Sequence, residues 1–134
     1  MGDRQIGDRQ MGDRSRDRLG RPVAPGSPDA VPGIPERDHI DATTAWREAI
    51  AQLDADRPFH AHEVLEQRWR CCPPEERTLW RGLAQWGAAL THRARGNAVG
   101  ASAVAARARG TLTGAAAVPP VDLDLVRRSL DEFG

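Results

Sequence analysis

The sequence contains no lysine and no tyrosine. All nineteen basic residues are arginine, and nineteen acidic residues bring the net charge to zero at pH 7. This bias, with the abundance of Ala, Gly, Pro and Arg, reads as GC-rich coding rather than as a demand of the protein. A balanced charge gives no long-range attraction to polyanions, so nucleic acid, an anionic membrane and acidic partners are not expected. Only two cysteines occur, and they are adjacent, Cys71-Cys72. A relaxed disulfide wants Cα atoms roughly 4.4 Å or more apart, so free thiols in a reducing, cytoplasmic compartment are expected. No apolar run approaches the roughly 20 residues of a membrane span. The N-terminus carries no hydrophobic segment of the secretory kind.

Aromatic residues are few and come late. All four Trp (46, 69, 80 and 86) and both Phe (59 and 133) lie beyond residue 38. The first residues instead repeat Gly-Asp-Arg with a period of five, at Gly2, Gly7 and Gly12. That period matches neither helix nor strand and gathers no apolar face. Met11-Gly12-Asp13-Arg14 echoes Met1-Gly2-Asp3-Arg4, which leaves a downstream start codon open. Pro22, Pro25, Pro28, Pro32 and Pro35 then favour extended, unpacked backbone. Residues 1–38 are therefore expected as a disordered, solvated tail, and residues 39–134 as one folded domain.

The folded part reads as an all-α bundle of about five helices, with no strand pattern. Asp41 is placed to cap the first, whose stripe is Trp46, Ala49, Ile50 and Leu53. Pro58 opens the second in the turn where a missing N–H costs nothing, and Cys71-Cys72-Pro73-Pro74 ends it. Glu75 and Glu76 begin the third and Arg93 and Arg95 close it, each on the favourable end of the dipole. From Leu79 to Leu90 that helix holds one charge, Arg81, so it reads as the central helix. Its face of Trp80, Ala84, Gly87 and Thr91 allows close contact, with Trp80 either packed on a neighbour or marking a homodimer interface. Gly96 ends this helix, Asn97 caps the Ala-rich fourth, and Asp122 caps a last one bearing Leu123, Val126, Leu130 and Phe133.

On the second helix, His62, Leu65, Glu66 and Trp69 share one stripe, because positions i, i+3, i+4 and i+7 align. Ionisable groups among core-type side chains need partners. Gln85 and His92, seven apart on the central helix, align two turns from each other. If the two helices pack antiparallel, His62, Glu66, Gln85 and His92 converge on one cleft, with Glu63 and Asn97 at its rim.

The phrase Phe59, Ala61, His62, Glu63, Leu65, Glu66, Trp69 resembles the hallmark of the family called domain of unknown function 309. A second phrase, Gly82, Leu83, Gln85, Ala88, His92, Gly96, Asn97, Gly100 and Ala101, resembles that family in order and spacing. The resemblance covers residues 54–112. It departs mildly at Trp86, where the family has an aliphatic, and at the Cys71-Cys72-Pro73 loop. It implies a small helical bundle and no established activity.

Two functions follow for the cluster. It is expected first as a hydrogen-bonded brace lining a small cleft, in a non-catalytic binding or scaffold protein whose candidate ligand is a small polar molecule. The alternative is a metal-dependent, hydrolase-like enzyme in which His62, Glu66 and His92 hold a divalent metal and Glu63 serves as base. His62-Glu63-Val64-Leu65-Glu66 is not the zincin pattern, since Glu66 stands where a second His belongs. The cysteines lie at a helix C-terminus, which disfavours a thiolate, and neither Ser102 nor Ser129 sits in a nucleophile elbow.

Overall fold

A computed structural model describes residues 15–133. Within them the chain forms five α-helices: α1 (Ala42–Asp54), α2 (Pro58–Cys71), α3 (Arg77–Ala94), α4 (Ala98–Thr113) and α5 (Leu123–Asp131). No strand forms among the described residues, where Arg16 makes only isolated antiparallel bridges to Pro22 and Val31. The helix starts follow local chemistry. The Asp41, Asn97 and Asp122 side chains accept from the backbone N–H of Thr44, Gly100 and Leu125 at 2.7, 3.0 and 3.0 Å. Pro58 is the first residue of α2, where it takes the place of a side-chain cap. Glu75 and Glu76 fall in a 3-10 turn, Pro74–Glu76, so α3 starts at Arg77, just past them.

α3 is the axis of the bundle, packing against α2 on one side and α4 on the other, while α1 packs on α2. Leu79, Trp80, Leu83, Trp86 and Ala89 are all buried along it. Trp86 stacks on Trp46 of α1 with ring centroids 6.2 Å apart and donates its indole N–H to Ser129 of α5 at 2.9 Å. One side chain thereby gathers three helices. Trp80 is fully buried, so it packs inside the chain and marks no surface for a second copy.

Close approach between helices rests on two glycines of α3. A Cβ at Gly82 would fall 2.4 Å from Leu112 of α4, and one at Gly87 would fall 2.9 Å from the His62 Cα of α2. Gly82 faces a flexible leucine tip, but Gly87 faces backbone, which cannot yield.

Residues 1–14 of the expected tail lie outside the described residues. Residues 15–38 carry no helix, yet they differ from the unpacked backbone expected for them. Leu19 is buried, and its carbonyl accepts from Arg95 Nε at 2.8 Å. Gly20, at φ +80°, lies against the Phe59 ring so closely that a Cβ would overlap it. Pro35 accepts from Gln67 Nε2 at 2.7 Å, and Arg37 donates to Gln67 and to both carboxylate oxygens of Glu48. The reason is that few apolar groups are needed. Leu19 is covered, Ile34 packs against the core, and Arg95 and Gln67 of the helices satisfy the Leu19 and Pro35 carbonyls.

Gly87→Ala should lower stability by about 1–3 kcal/mol through overpacking against α2. Gly110→Ala, in α4 with nothing within 4 Å, should raise it by about 0.5–1 kcal/mol. Urea midpoints of the two variants check both signs.

Candidate functional site

α2 and α3 together carry the residues singled out by the sequence, and they divide them between two clefts. His62 and His92 share a small cleft of about 170 Å³, with Phe59, Ala88, Thr91 and Arg95. Glu63 and Glu66 instead line a second cleft of about 300 Å³, with His60, Gln67, Arg70 and residues of the N-terminal segment that include Arg16 and Arg37. Gln85 lines neither, and its amide oxygen is buried without a hydrogen-bond partner among the described residues.

The expected four-residue network does not form. His62 Nε2 stands 3.7 Å from Glu66 Oε2, beyond hydrogen-bond reach, and no hydrogen bond joins any two of His62, Glu66, Gln85 and His92. Nor do His62, Glu66 and His92 make the expected metal set. Among the described residues, no three side chains of His, Cys, Asp or Glu are placed to hold a metal ion. Glu66 stands between His62, at 3.7 Å, and Arg70, at 3.8 Å.

The buried polar brace lies on the opposite flank of α2. Arg68, 6% exposed, donates to the Ile40 carbonyl at 3.0 Å and to Glu76 Oε1 at 2.9 Å. Its guanidinium lies 5.7 Å from the centre of the Trp80 ring, whose Nε1 donates to the same Glu76 oxygen at 2.8 Å. Burial alone would raise the Glu76 pKa, but the hydrogen bonds from Trp80 and Arg68 and the charge of Arg68 outweigh it and hold the carboxyl below its ordinary 4.5. Burial lowers the His62 pKa, against a smaller upward pull from Glu66. Burial also lowers that of His60, helped by Arg57 and Arg16. Both rings are thereby favoured in the neutral form. Both cysteines are free thiols, and burial pushes the Cys72 thiol up, away from nucleophilic use.

His92 is set by the cap of the next helix. Asn97 Oδ1 is occupied by the Gly100 N–H at 3.0 Å, which turns the amide nitrogen toward His92 Nδ1 at 3.1 Å. The amide nitrogen can only donate, so Nδ1 accepts and the neutral ring carries its proton on Nε2. Gly100 makes this possible, since a Cβ there would fall 2.5 Å from Asn97 Nδ2 and 3.1 Å from His92 Nδ1. Gly96, at φ +83°, reverses the chain between ring and cap. The spacing His92, Gly96, Asn97, Gly100 is thus one device. It closes α3, opens α4 and fixes a tautomer.

The profile of a domain of unknown function (DUF309) matches residues 46–104. The match covers less than half of the chain. The DUF309 match takes in Trp46 of α1 and ends within α4, a frame shifted toward the N-terminus from the 54–112 read from the motifs. The chain is also 37% identical over 59 residues to the uncharacterized protein YpuF of Bacillus subtilis (strain 168), a match covering 42% of this chain. It spans about a third, 34%, of that relative's length. No solved structure matches. The N-terminal residues 15–38 and α5 lie outside the DUF309 segment, yet they reach its centre through Arg16 on the Phe59 ring and Ser129 on Trp86.

Sequence reasoning missed Arg95 and Thr91 as cleft residues and Arg37, Gln67 and Arg68 as the brace. Arg95 had a signal, since it lies three residues after His92 on the same side of α3. The brace residues had none, because Gln67 and Arg68 reach the Pro35 and Ile40 carbonyls and Arg37 reaches the Gln67 and Glu48 side chains, all distant in sequence.

Asn97→Ser should keep the cap but remove the donor, freeing the His92 proton to move between Nδ1 and Nε2. The ¹⁵N shifts of the two ring nitrogens read this directly. Stability should also fall in two acid windows. His60 and His62 stay neutral in the fold, so stability is lost as pH drops from the ordinary imidazole value of 6.5 toward their lowered values. Glu76 contributes above 4.5 and is lost as pH falls through its depressed value. Melting temperatures of Glu76→Gln should lose the second slope and keep the first.

Proposed function

We propose that this chain is a non-catalytic binding domain whose ligand is a small polar molecule held in the cleft between α2 and α3. One observation carries the reading. The two motif histidines face that cleft, while the Arg68–Glu76 brace lies elsewhere and takes no bond from either ring. Hydrogen-bonding groups on an otherwise small apolar wall of Phe59 and Ala88 suit orientation and selection of a ligand. The remaining reactive groups speak against chemistry. Ser129 accepts from an indole, and the Cys72 thiol is buried and protonated. The metal-dependent hydrolase alternative gains no geometric support, because Glu66 belongs to the other cleft.

The test is thermal shift of the full chain against a panel of small polar compounds, with each compound recovered and analysed afterwards. A true ligand at a hundred times its Kd adds about 2.7 kcal/mol of stability. The double variant His62→Ala/His92→Ala should fold, with its melt lowered by the lost Asn97 and Phe59 contacts, while losing that gain. Stabilisation that survives in the double variant would sink the proposal, as would chemical conversion of the stabilising compound.

A further inference from the structure

The lining of this cleft has a sign. Phe59, His62, Ala88, Thr91, His92 and Arg95 include one fixed positive charge and no carboxylate. Three other clefts include carboxylates. Asp56 and Glu132 line one of about 570 Å³, Glu36, Glu63 and Glu66 the second, and Asp131 a third. In a chain of zero net charge, this local imbalance is selective.

The donors are also held in place. The His92 tautomer, fixed by Asn97, leaves Nε2 as an N–H donor without any need for a positive ring. Arg95 is anchored through Nε to the Leu19 carbonyl at 2.8 Å, which keeps its guanidinium at the cleft. Among the described residues no carboxylate pairs with it. The Thr91 hydroxyl is turned away, donating to the Gly87 carbonyl at 2.8 Å. A fixed imidazole N–H beside an unpaired guanidinium is complementary to an acceptor-rich negative group. We infer that the cleft binds a small oxyanion, a carboxylate or phosphate group, through His92 Nε2–H and Arg95, with His62 and Phe59 as its wall. This rests on the reading of the cleft as a binding site and adds the chemical class of the ligand.

The experiment follows the ring signals of His62 and His92 in the full chain labelled at histidine. Sodium acetate, inorganic phosphate and neutral acetamide are titrated separately, each against sodium chloride at equal ionic strength. Saturable shifts at His92 with acetate or phosphate are expected, and which of the two saturates assigns carboxylate or phosphate. Arg95→Gln should weaken that binding by about tenfold, the loss of one charge-assisted contact. Because this variant also releases Leu19, Asn97→Ser provides a second reading: the hydroxyl keeps the cap, the donor to Nδ1 is gone, Nε2 is no longer held as the donor, and affinity should fall as well. No saturable shift with either oxyanion, shifts matched by chloride, or wild-type affinity in both variants would overturn the inference. Saturation by acetamide where the oxyanions fail would overturn it while leaving the binding-domain reading intact. Silence from all three probes would remove both.

Discussion

At Gly87, α3 meets the backbone of α2 at His62 with no side chain between them. Separation by even one methyl group would push the two helices apart, because a Cβ there would fall 2.9 Å from the His62 Cα. Everything on the functional side is registered by this crossing. Phe59 and His62 lie along α2 to one side of it, and Ala88, Thr91 and His92 follow it on α3, so a cleft opens where the helices diverge. The same crossing turns Gln67 and Arg68 away from that cleft, toward the N-terminal segment and the turn before α3. Cleft face and braced face are thus two sides of one helix.

Arginine does the tying. Arg16, Arg68, Arg95, Arg109 and Arg127 each donate to a backbone carbonyl, of Gly20, Ile40, Leu19, Leu130 and Leu112 respectively. Several of these bonds join segments that share few apolar contacts. A planar guanidinium can serve a carbonyl and a second partner together, as Arg68 does with Ile40 and Glu76, where an ammonium would be less well directed. A composition without lysine is therefore put to structural use, whatever its origin in coding.

Local chemistry was readable from the sequence, and long-range choice was not. The caps at Asp41, Asn97 and Asp122, the entry at Pro58 and the small-residue face of α3 depend on neighbours within a few residues, and each formed as expected. The helical period correctly put His62 and Leu65 toward the bundle, but it could not rank Glu66 against Gln67 and Arg68. That ranking was decided by carbonyls of Pro35 and Ile40, about thirty positions upstream, which accept from Gln67 and Arg68 and leave Glu66 half exposed. Likewise, nothing local marks Leu19 as buried, because Arg95, its partner, lies 76 residues away. Of the site itself, the convergence of His62 and His92 was legible from spacing, and the divergence of Glu66 and Gln85 was not.

Asn97 belongs to the backbone of α4 as much as to the cleft, which it does not line. Its carbonyl oxygen holds the Gly100 amide while its nitrogen holds the imidazole, so the first turn of α4 and the polarity of His92 open and close together. Fraying of that turn, the commonest motion of a helix end, releases the ring to either tautomer. Solvent exchange of a single amide proton on a neighbouring helix therefore keeps time with the cleft's hydrogen-bonding sense.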